Sequence, residues 1–457
     1  MVTDRTAHIK RERLFGGAVV LLKRTHYTNE IENEKGTVIL AGWVHDVKDL
    51  ARIRFIWLRD SGGIAQITIS KTDTNPEVIK TSEQLGKEDV IAVEGKLVEK
   101  RVAKVGAEIA PSKLEVIVRA QAAAPLDMSG KIESNLDARL DWRVVDLRRP
   151  ENAAIFQIQS KLAEGMQEYL KQHGYLQVFT PCLLGGTSEG GAEVFKTDYF
   201  GKEAFLRQDP QLHRQLCIAS GLDKIYDLGP NWRAELSHTT QHLCEHRGMA
   251  VELGFIADER DTMRVEEEVA VAALKRVERD CARELALLNV EVHVPQTPFP
   301  EMRYPEIYEI LEEYGRKVPY GEEIGKEGET MLTKHVLEKH KAEAFFINRF
   351  PSKIKPFYVM RVDDEPQWAR SVDFVYRGVE QSSGGEREHR YEKIIEQMKE
   401  RSISQEGMRW FTEPFRFGVP PHGGFCLGIE RFTMAFLMKE NIRETTLFPR
   451  TPERLLP

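Results

Sequence analysis

The stretch that most constrains this chain runs from Phe205 to Phe255. Two runs of alternating apolar residues, 224–230 and 248–255, have the period of antiparallel strands. The loop between them, 233–247, carries Arg233, Glu235, His242, Glu245 and Arg247. A hairpin that lifts fixed cations and a carboxylate over an open sheet suits a polyphosphate. Arginine grips phosphate oxygens in a planar fork, and histidine adds a donor. The same residues also suit an ordinary solvated turn, and the loop alone does not separate the two readings. Two further stretches, 371–391 and 416–435, bear on the choice.

At 457 residues the chain exceeds one compact domain, and two or three are expected. Its 41% apolar and 30% charged content is that of an ordinary globular protein. No run of 18 apolar residues exists, so no membrane span is expected. Residues 1–30 read as a flexible arm, in which a basic run precedes a short apolar patch, Phe15–Leu22. No small-residue cleavage site follows, which speaks against a secretory leader. The five cysteines (182, 217, 244, 281 and 426) form no C-x-x-C pair. That argues against structural zinc and a disulfide framework and suits a cytoplasmic protein. A net charge of −7 gives no global attraction to nucleic acid, although a local basic face is still open.

From Gly36 to Val118, five short strand-like runs follow one another between Gly or Asp turns. They suggest a small Greek-key barrel of the oligonucleotide-binding type over residues 31–120. Phe55 and Trp57 share one strand face, with Lys48, Arg52 and Arg54 nearby. Such a set can stack on and grip single-stranded RNA. Spacing alone equally allows both rings to be barrel core. Residues 121–150 read as a linker, Ala/Pro/Gly/Ser-bearing and then charge-dense. A second domain, 151–457, opens with a helix over 152–173, whose apolar stripe includes Ile155, Ile158, Leu162, Met166 and Leu170. A strand halted by Pro181 follows, and the pair suits either a dimer seam or packing on the domain's own sheet. The charged stretch 257–290 reads as a solvated helix without chemistry. Residues 371–380 read as one bent strand that aims Asp373 and Glu380 at a single pocket, where paired carboxylates are hard ligands for Mg²⁺. Arg387 and Arg390 follow, in that pocket or on the next helix. Last, a Gly/Pro-rich turn and a strand, 424–428, lead into a helix with Arg431 in its first turn, where the dipole favours anions.

The helix and strand ending at Pro181, the loop with Arg233, Glu235 and His242, and Gly428-Ile429-Glu430-Arg431 together resemble the three signature motifs of class II aminoacyl-tRNA synthetases. TSEGGAEVF, QDPQL, R-A-E with H-L-x-E, Asp373 with Glu380, and PPHGG more narrowly resemble the archaeal type of aspartyl-tRNA synthetase. The match covers roughly residues 36–456, and the order and spacing of the motifs make it specific. The resemblance implies an α+β homodimer. It has an anticodon-binding oligonucleotide-fold barrel, an antiparallel-sheet catalytic domain and a helical insert, placed here at 257–345.

It also implies roles. Arg233 would hold the α-phosphate of ATP, His242 and Arg431 the γ-phosphate side, and Glu235 the adenine end, with Gly428 in the nucleotide site. Asp373, Glu380 and Ser383 would carry Mg²⁺. Glu189 would belong to a loop closing over the amino acid; Asp209, Gln211 and Ser383 would line its pocket; Arg214 and Arg387 would receive its β-carboxylate. In the barrel, Lys48, Phe55 and Gln66 would meet the anticodon. The implied activity is ATP-dependent ligation of L-aspartate to tRNA(Asp), with tRNA(Asn) open; the alternatives are an asparagine–tRNA ligase, or a paralogue that binds tRNA or adenylates another acid without charging. Three positions depart from the family pattern: Asp209 stands for Ser, Ala250 for an acid and Gln241 for Arg. Positions 209 and 250 both line the family's amino-group site, so the carboxylate is expected to have moved from 250 to 209. A turn-capping role before Pro210 is the alternative for Asp209.

Overall fold

The computed structural model describes residues 22–98, 106–128, 130–186, 194–234 and 239–457. It separates into two units, residues 1–153 and 154–457.

In the first unit, β1 (Thr37–Asp49), β2 (Ile53–Asp60), β3 (Gly63–Ser70), β4 (Val90–Leu97) and β5 (Glu108–Val118) close a barrel in the order β1-β2-β3-β5-β4. The alternation read from the sequence sends Val38, Leu40, Ile56, Leu58, Ile67, Ile69 and Ile91 inward, all 0% exposed. Burying each such side chain contributes about 1.5–3 kcal/mol. One helix, α1 (Pro76–Glu83), joins β3 to β4; Asn75 Oδ1 caps it by accepting from Glu77 N–H, and Pro76 starts it. Part of the expected arm is fixed to the barrel. Thr28 is buried, and its N–H and hydroxyl both donate to Asp60, at 3.0 and 2.6 Å. The expected linker is also built. Short helices Leu136–Asp141 and Arg143–Asp146 form, and the fully buried Asp146 accepts from Arg139, Arg143 and Asn152. The charge-dense run is an internal ion-pair network, which a composition reading takes for solvated chain.

The second unit is organised by an eight-stranded sheet. Its members are β6 (Leu176–Gln177), β10 (Lys224–Trp232), β11 (Glu245–Gly254), β12 (Glu301–Arg303), β13 (Ala344–Asn348), β14 (Ser371–Tyr376), β15 (Val379–Arg387) and β16 (His422–Gly428). The order is β12-β13-β14-β15-β16-β11-β10-β6. A small sheet of β7 (Leu183–Leu184), β8 (Lys196–Tyr199) and β9 (Lys202–Leu206) stands beside it in the chain. Helices α2 (Pro150–Gln172) and α3 (Glu259–Asp280) supply Ile155, Leu162, Met166, Val269, Leu274 and Val277 to a core with Tyr226, Met249, Val251, Phe374 and Leu427. The α3 helix is therefore not the solvated helix that its charges suggest. Its buried stripe includes Glu266, which accepts from the Ser382 hydroxyl.

The opposite face of the sheet is polar. Directly opposed strand residues share a face. Register thus aligns Asp227, Ala250, Cys426, Ser383 and Asp373 in one row across five strands. Asp373 and Glu380 lie on two strands, not on one bent strand: β14 and β15 meet in a turn at Arg377 and Gly378, whose φ values are 51° and 74°. Positive φ at both central residues is the type I′ hairpin geometry, which matches the twist of paired strands.

Candidate active site

On this polar face lies a cleft of about 390 Å³. Residues from separate parts of the sequence converge on it: Asp209 and Gln211; Arg233 and His242; Glu380, Ser383 and Arg387; Gly428 and Arg431. Arg214 and Asp373 do not line it, and Glu189 and Glu235 lie outside the described residues.

At one end sits a buried charge cluster. Arg387 donates through Nε to Glu252 at 3.0 Å, and through Nη2 to Gln211 Oε1 at 3.0 Å and Gly424 O at 2.9 Å. Glu252 can lie flat there because position 424 is glycine; a Cβ would come within 2.5 Å of its carboxylate. Arg214 is fully buried behind this surface. Its guanidinium is taken up by Asp209, through Nη1 at 2.5 Å and Nη2 at 3.2 Å, by Gln211, and by Glu252 through Nε at 3.4 Å. Burial alone would raise the Asp209 carboxyl, but the charges of Arg214, Arg387 and Arg233 outweigh it and hold it below the usual aspartate range. Among the described residues the hydrogen bonds of the Asp209 carboxylate go to Arg214 and none to a backbone N–H, which speaks against the turn-capping alternative. Ala250 is buried and presents only a methyl group.

At the other end, Arg431 extends from the first turn of the helix Ile429–Phe436. It donates to Glu380 O at 3.1 Å and Gln241 O at 3.4 Å, tying the polar loop to β15. His242 Nδ1 is hydrogen bonded to Thr239 Oγ1. Asp373 is engaged by Lys355 Nζ, at 3.3 and 3.4 Å from its two oxygens. Burial, and then the Asp373 charge, push the Glu380 carboxyl up to about 7 against the pull of Arg431 and Lys355. The facing Ser383 is exposed. Arg390 is elsewhere, paired with Glu388 and Asp363.

Several cleft residues carried no clear sequence signal. Lys355 stands two residues after Lys353, and nothing in the sequence singles it out. His246 lines the cleft as a neutral imidazole, pushed down to about 3 by burial and by Arg233 and Arg431. Glu252 alternates with the core residues Met249, Val251 and Leu253 and so falls on the polar face, where only the fold shows that it is buried and needs cationic partners.

In the barrel, Phe55 and Trp57 are half-buried on the outer face and absent from the core, so the barrel-core alternative does not hold. Their ring centroids are 6.3 Å apart. Lys48 is in register with Phe55, and Gln66 with Trp57. Gln66 is largely buried and donates to Thr68 Oγ1 at 3.2 Å.

The sequence matches the class II tRNA synthetases (D, K and N) over residues 135–452, and the OB-fold nucleic acid binding domain over 38–118. This chain belongs to the class II tRNA synthetases. As such it is a ligase with a synthetase domain, whose sheet is antiparallel except for the parallel edge pairs β12–β13 and β10–β6, and an OB-fold barrel, and the family's catalysis is ATP-dependent. The chain is 44% identical to the Aspartate–tRNA(Asp) ligase of Thermococcus kodakarensis, over 95% of this chain and all of that one. It is 41% identical to the Aspartate–tRNA(Asp/Asn) ligase of Methanopyrus kandleri, over 94% and 99%. Among solved structures, asparaginyl-tRNA synthetase from Pyrococcus horikoshii complexed with asparaginyl-adenylate superposes with a TM-score of 0.87 at 32% identity, over 96% of this chain and 100% of that one.

Proposed function

We propose that this synthetase activates L-aspartate with ATP, forming aspartyl-adenylate and pyrophosphate, and then transfers the aspartyl group to the 3′ end of tRNA(Asp), releasing AMP. The observation that carries the substrate is Arg387, a buried guanidinium that lines the cleft and keeps Nη1 free of protein hydrogen bonds among the described residues. The free N–H groups of a charged Nη1 are matched by a carboxylate oxygen. Arg214 then acts behind it, setting the charge of the pocket.

The nucleophile is the substrate's own carboxylate, already ionised at neutral pH, so no general base is needed. The barrier is lowered by placement and by cations facing the charge that develops on the phosphates. Arg233 stands at the α-phosphate side in this reading, and His242 and Arg431 at the γ-phosphate side, with Gly428 leaving space for the nucleotide. Asp373, Glu380 and Ser383 are all oxygen donors, the class Mg²⁺ prefers. No three or more His, Cys, Asp or Glu side chains among the described residues cluster as a metal cage. That fits an ion held by one or two carboxylates together with substrate phosphates. Bound Mg²⁺ would neutralise phosphate charge there.

Asparagine is the second reading. Asp209 and Glu252 match the charges of Arg214 and Arg387, which makes the pocket kinder to a neutral amide. The barrel face of Lys48, Phe55 and Gln66 is assigned to the anticodon, and tRNA(Asn) is a further acceptor to be tried. Homodimerisation is proposed through α2 and the β6 edge, where Phe179 is 84% exposed. Among the described residues no helix is long and apolar enough to cross a membrane, and the five cysteines are free; a cytoplasmic site is proposed. The deciding experiment is ATP–pyrophosphate exchange with aspartate and asparagine, followed by charging of both purified tRNAs. Faster exchange with asparagine rejects aspartate as the substrate, and no exchange with either rejects the activity.

A further inference from the structure

The roles above leave the substrate's α-ammonium with an acid, Asp209, that Arg214 already holds. Asn231 is near the end of β10, on the face of the cleft, and lines it. The residue is 3% exposed. Its Nδ2 lies 3.8 Å from Cys426 Sγ, while its Oδ1 has no hydrogen-bond partner among the described residues. An unpaired buried carbonyl is costly, so native structures keep few of them and those few need a reason. The amide is also packed in place. A Cβ at Gly248 would come within 2.9 Å of Asn231 Nδ2 and 2.6 Å of Cys426 Sγ. Asn231, Cys426 and Asp209 all line this one cleft. Ala250, in register with Cys426, offers no acceptor from its side chain.

We propose that the Asn231 side-chain carbonyl accepts a hydrogen bond from the substrate's α-ammonium, with Asp209, which lines the same cleft, as the opposing charge. The inference rests on the amino-acid activation proposed above. Its physical content is a division of labour. Asp209 is a carboxylate whose field is largely spent on Arg214, so it supplies charge but little direction. Asn231 is neutral and rigidly held, so it supplies direction, and with it the requirement that the substrate carry an amine.

The test compares L-aspartate with succinate, which keeps both carboxylates and lacks the amine. In pyrophosphate exchange, Asn231→Leu, close in size but without an acceptor, should raise the KM for aspartate roughly 10- to 100-fold. The KM for ATP and the inhibition constant of succinate should stay within about twofold, since neither contact involves an amine. Asn231→Asp, which keeps the acceptor, should hold the aspartate KM within about threefold of wild type. Equal weakening of aspartate and succinate in Asn231→Leu would mean a distorted pocket and overturn the assignment. So would an unchanged aspartate KM, which would mean that the carbonyl faces solvent water instead. If the wild-type enzyme activates only asparagine, the aspartate reading alone fails. The same comparison, with asparagine against succinamic acid, then decides Asn231.

Discussion

Replacing Arg387 with lysine isolates what its guanidinium does in the pocket. Arginine carries five N–H donors, and three hydrogen bonds are already made, to Glu252, Gln211 and Gly424 O, which leaves Nη1 for substrate. A lysine ammonium has three donors at one point, so it cannot keep Glu252 and Gly424 O and still present a fork. One charge-assisted hydrogen bond to the β-carboxylate is lost, worth about 1.5–3 kcal/mol, or roughly 10- to 150-fold in kcat/KM for aspartate. The fold should survive, because Glu252 keeps Arg214 and Gln211 as partners. Arg214→Lys is the internal comparison. Its guanidinium faces Asp209, Gln211 and Glu252 and not the cleft, so stability should fall more than aspartate recognition. Exchange kinetics titrated separately in aspartate and ATP, with thermal melts of each variant, read both effects. An Arg387→Lys enzyme with unchanged aspartate kcat/KM refutes the reasoning. So does an Arg214→Lys enzyme that stays fully stable yet loses aspartate as severely as Arg387→Lys.

Phe55→Ala should lower tRNA charging by the worth of one stacked base, about 1–3 kcal/mol, and spare pyrophosphate exchange; equal loss of both would return Phe55 to a structural role. Glu266 titrates within the core, where burial pushes it up to about 8 despite the Ser382 hydrogen bond. A carboxyl raised in the fold contributes stability that is complete below about 4.5 and is lost as pH climbs through about 8. Glu266→Gln should therefore gain stability over wild type as pH rises from 5 to 9, by on the order of a few kcal/mol, read as a rising difference in melting temperature, and a pH-independent difference would contradict this. Arg431→Ala should raise the KM for ATP far more than that for aspartate, because its contacts are Glu380 and Gln241 at the phosphate end; a selective loss of aspartate would move it to the other pocket.

The barrel was legible because its strands alternate with period two and end at Gly or Asp, a pattern that local sterics and burial impose on any chain. The hairpin of β10 and β11 and the helix bearing Arg431 were legible for the same kind of reason. Their polar residues sit at loop and helix-start positions that sequence can mark. The β14–β15 hairpin was not, because its I′ turn begins with Arg377, a residue that gives no turn signal. Nor was the inner face of α3, since Glu266 and Glu267 break the apolar stripe while the fold buries them.

What the sequence determined by itself was an inventory: the barrel strands, the β10–β11 hairpin, the helices α2 and Ile429–Phe436, and which arginines, carboxylates and histidines are at hand for a nucleotide and an acid. Pairing was decided only by tertiary structure. Arg214 and Arg387 look equivalent as residues, yet the fold gives Asp209 to the first and an open edge on the cleft to the second. The reason is physical. A guanidinium's availability depends on which carboxylates lie within about 3 Å of it, and Glu252, Asp209 and Gln211 reach these two arginines from β11 and the start of a helix, across sequence separations of up to 176 residues.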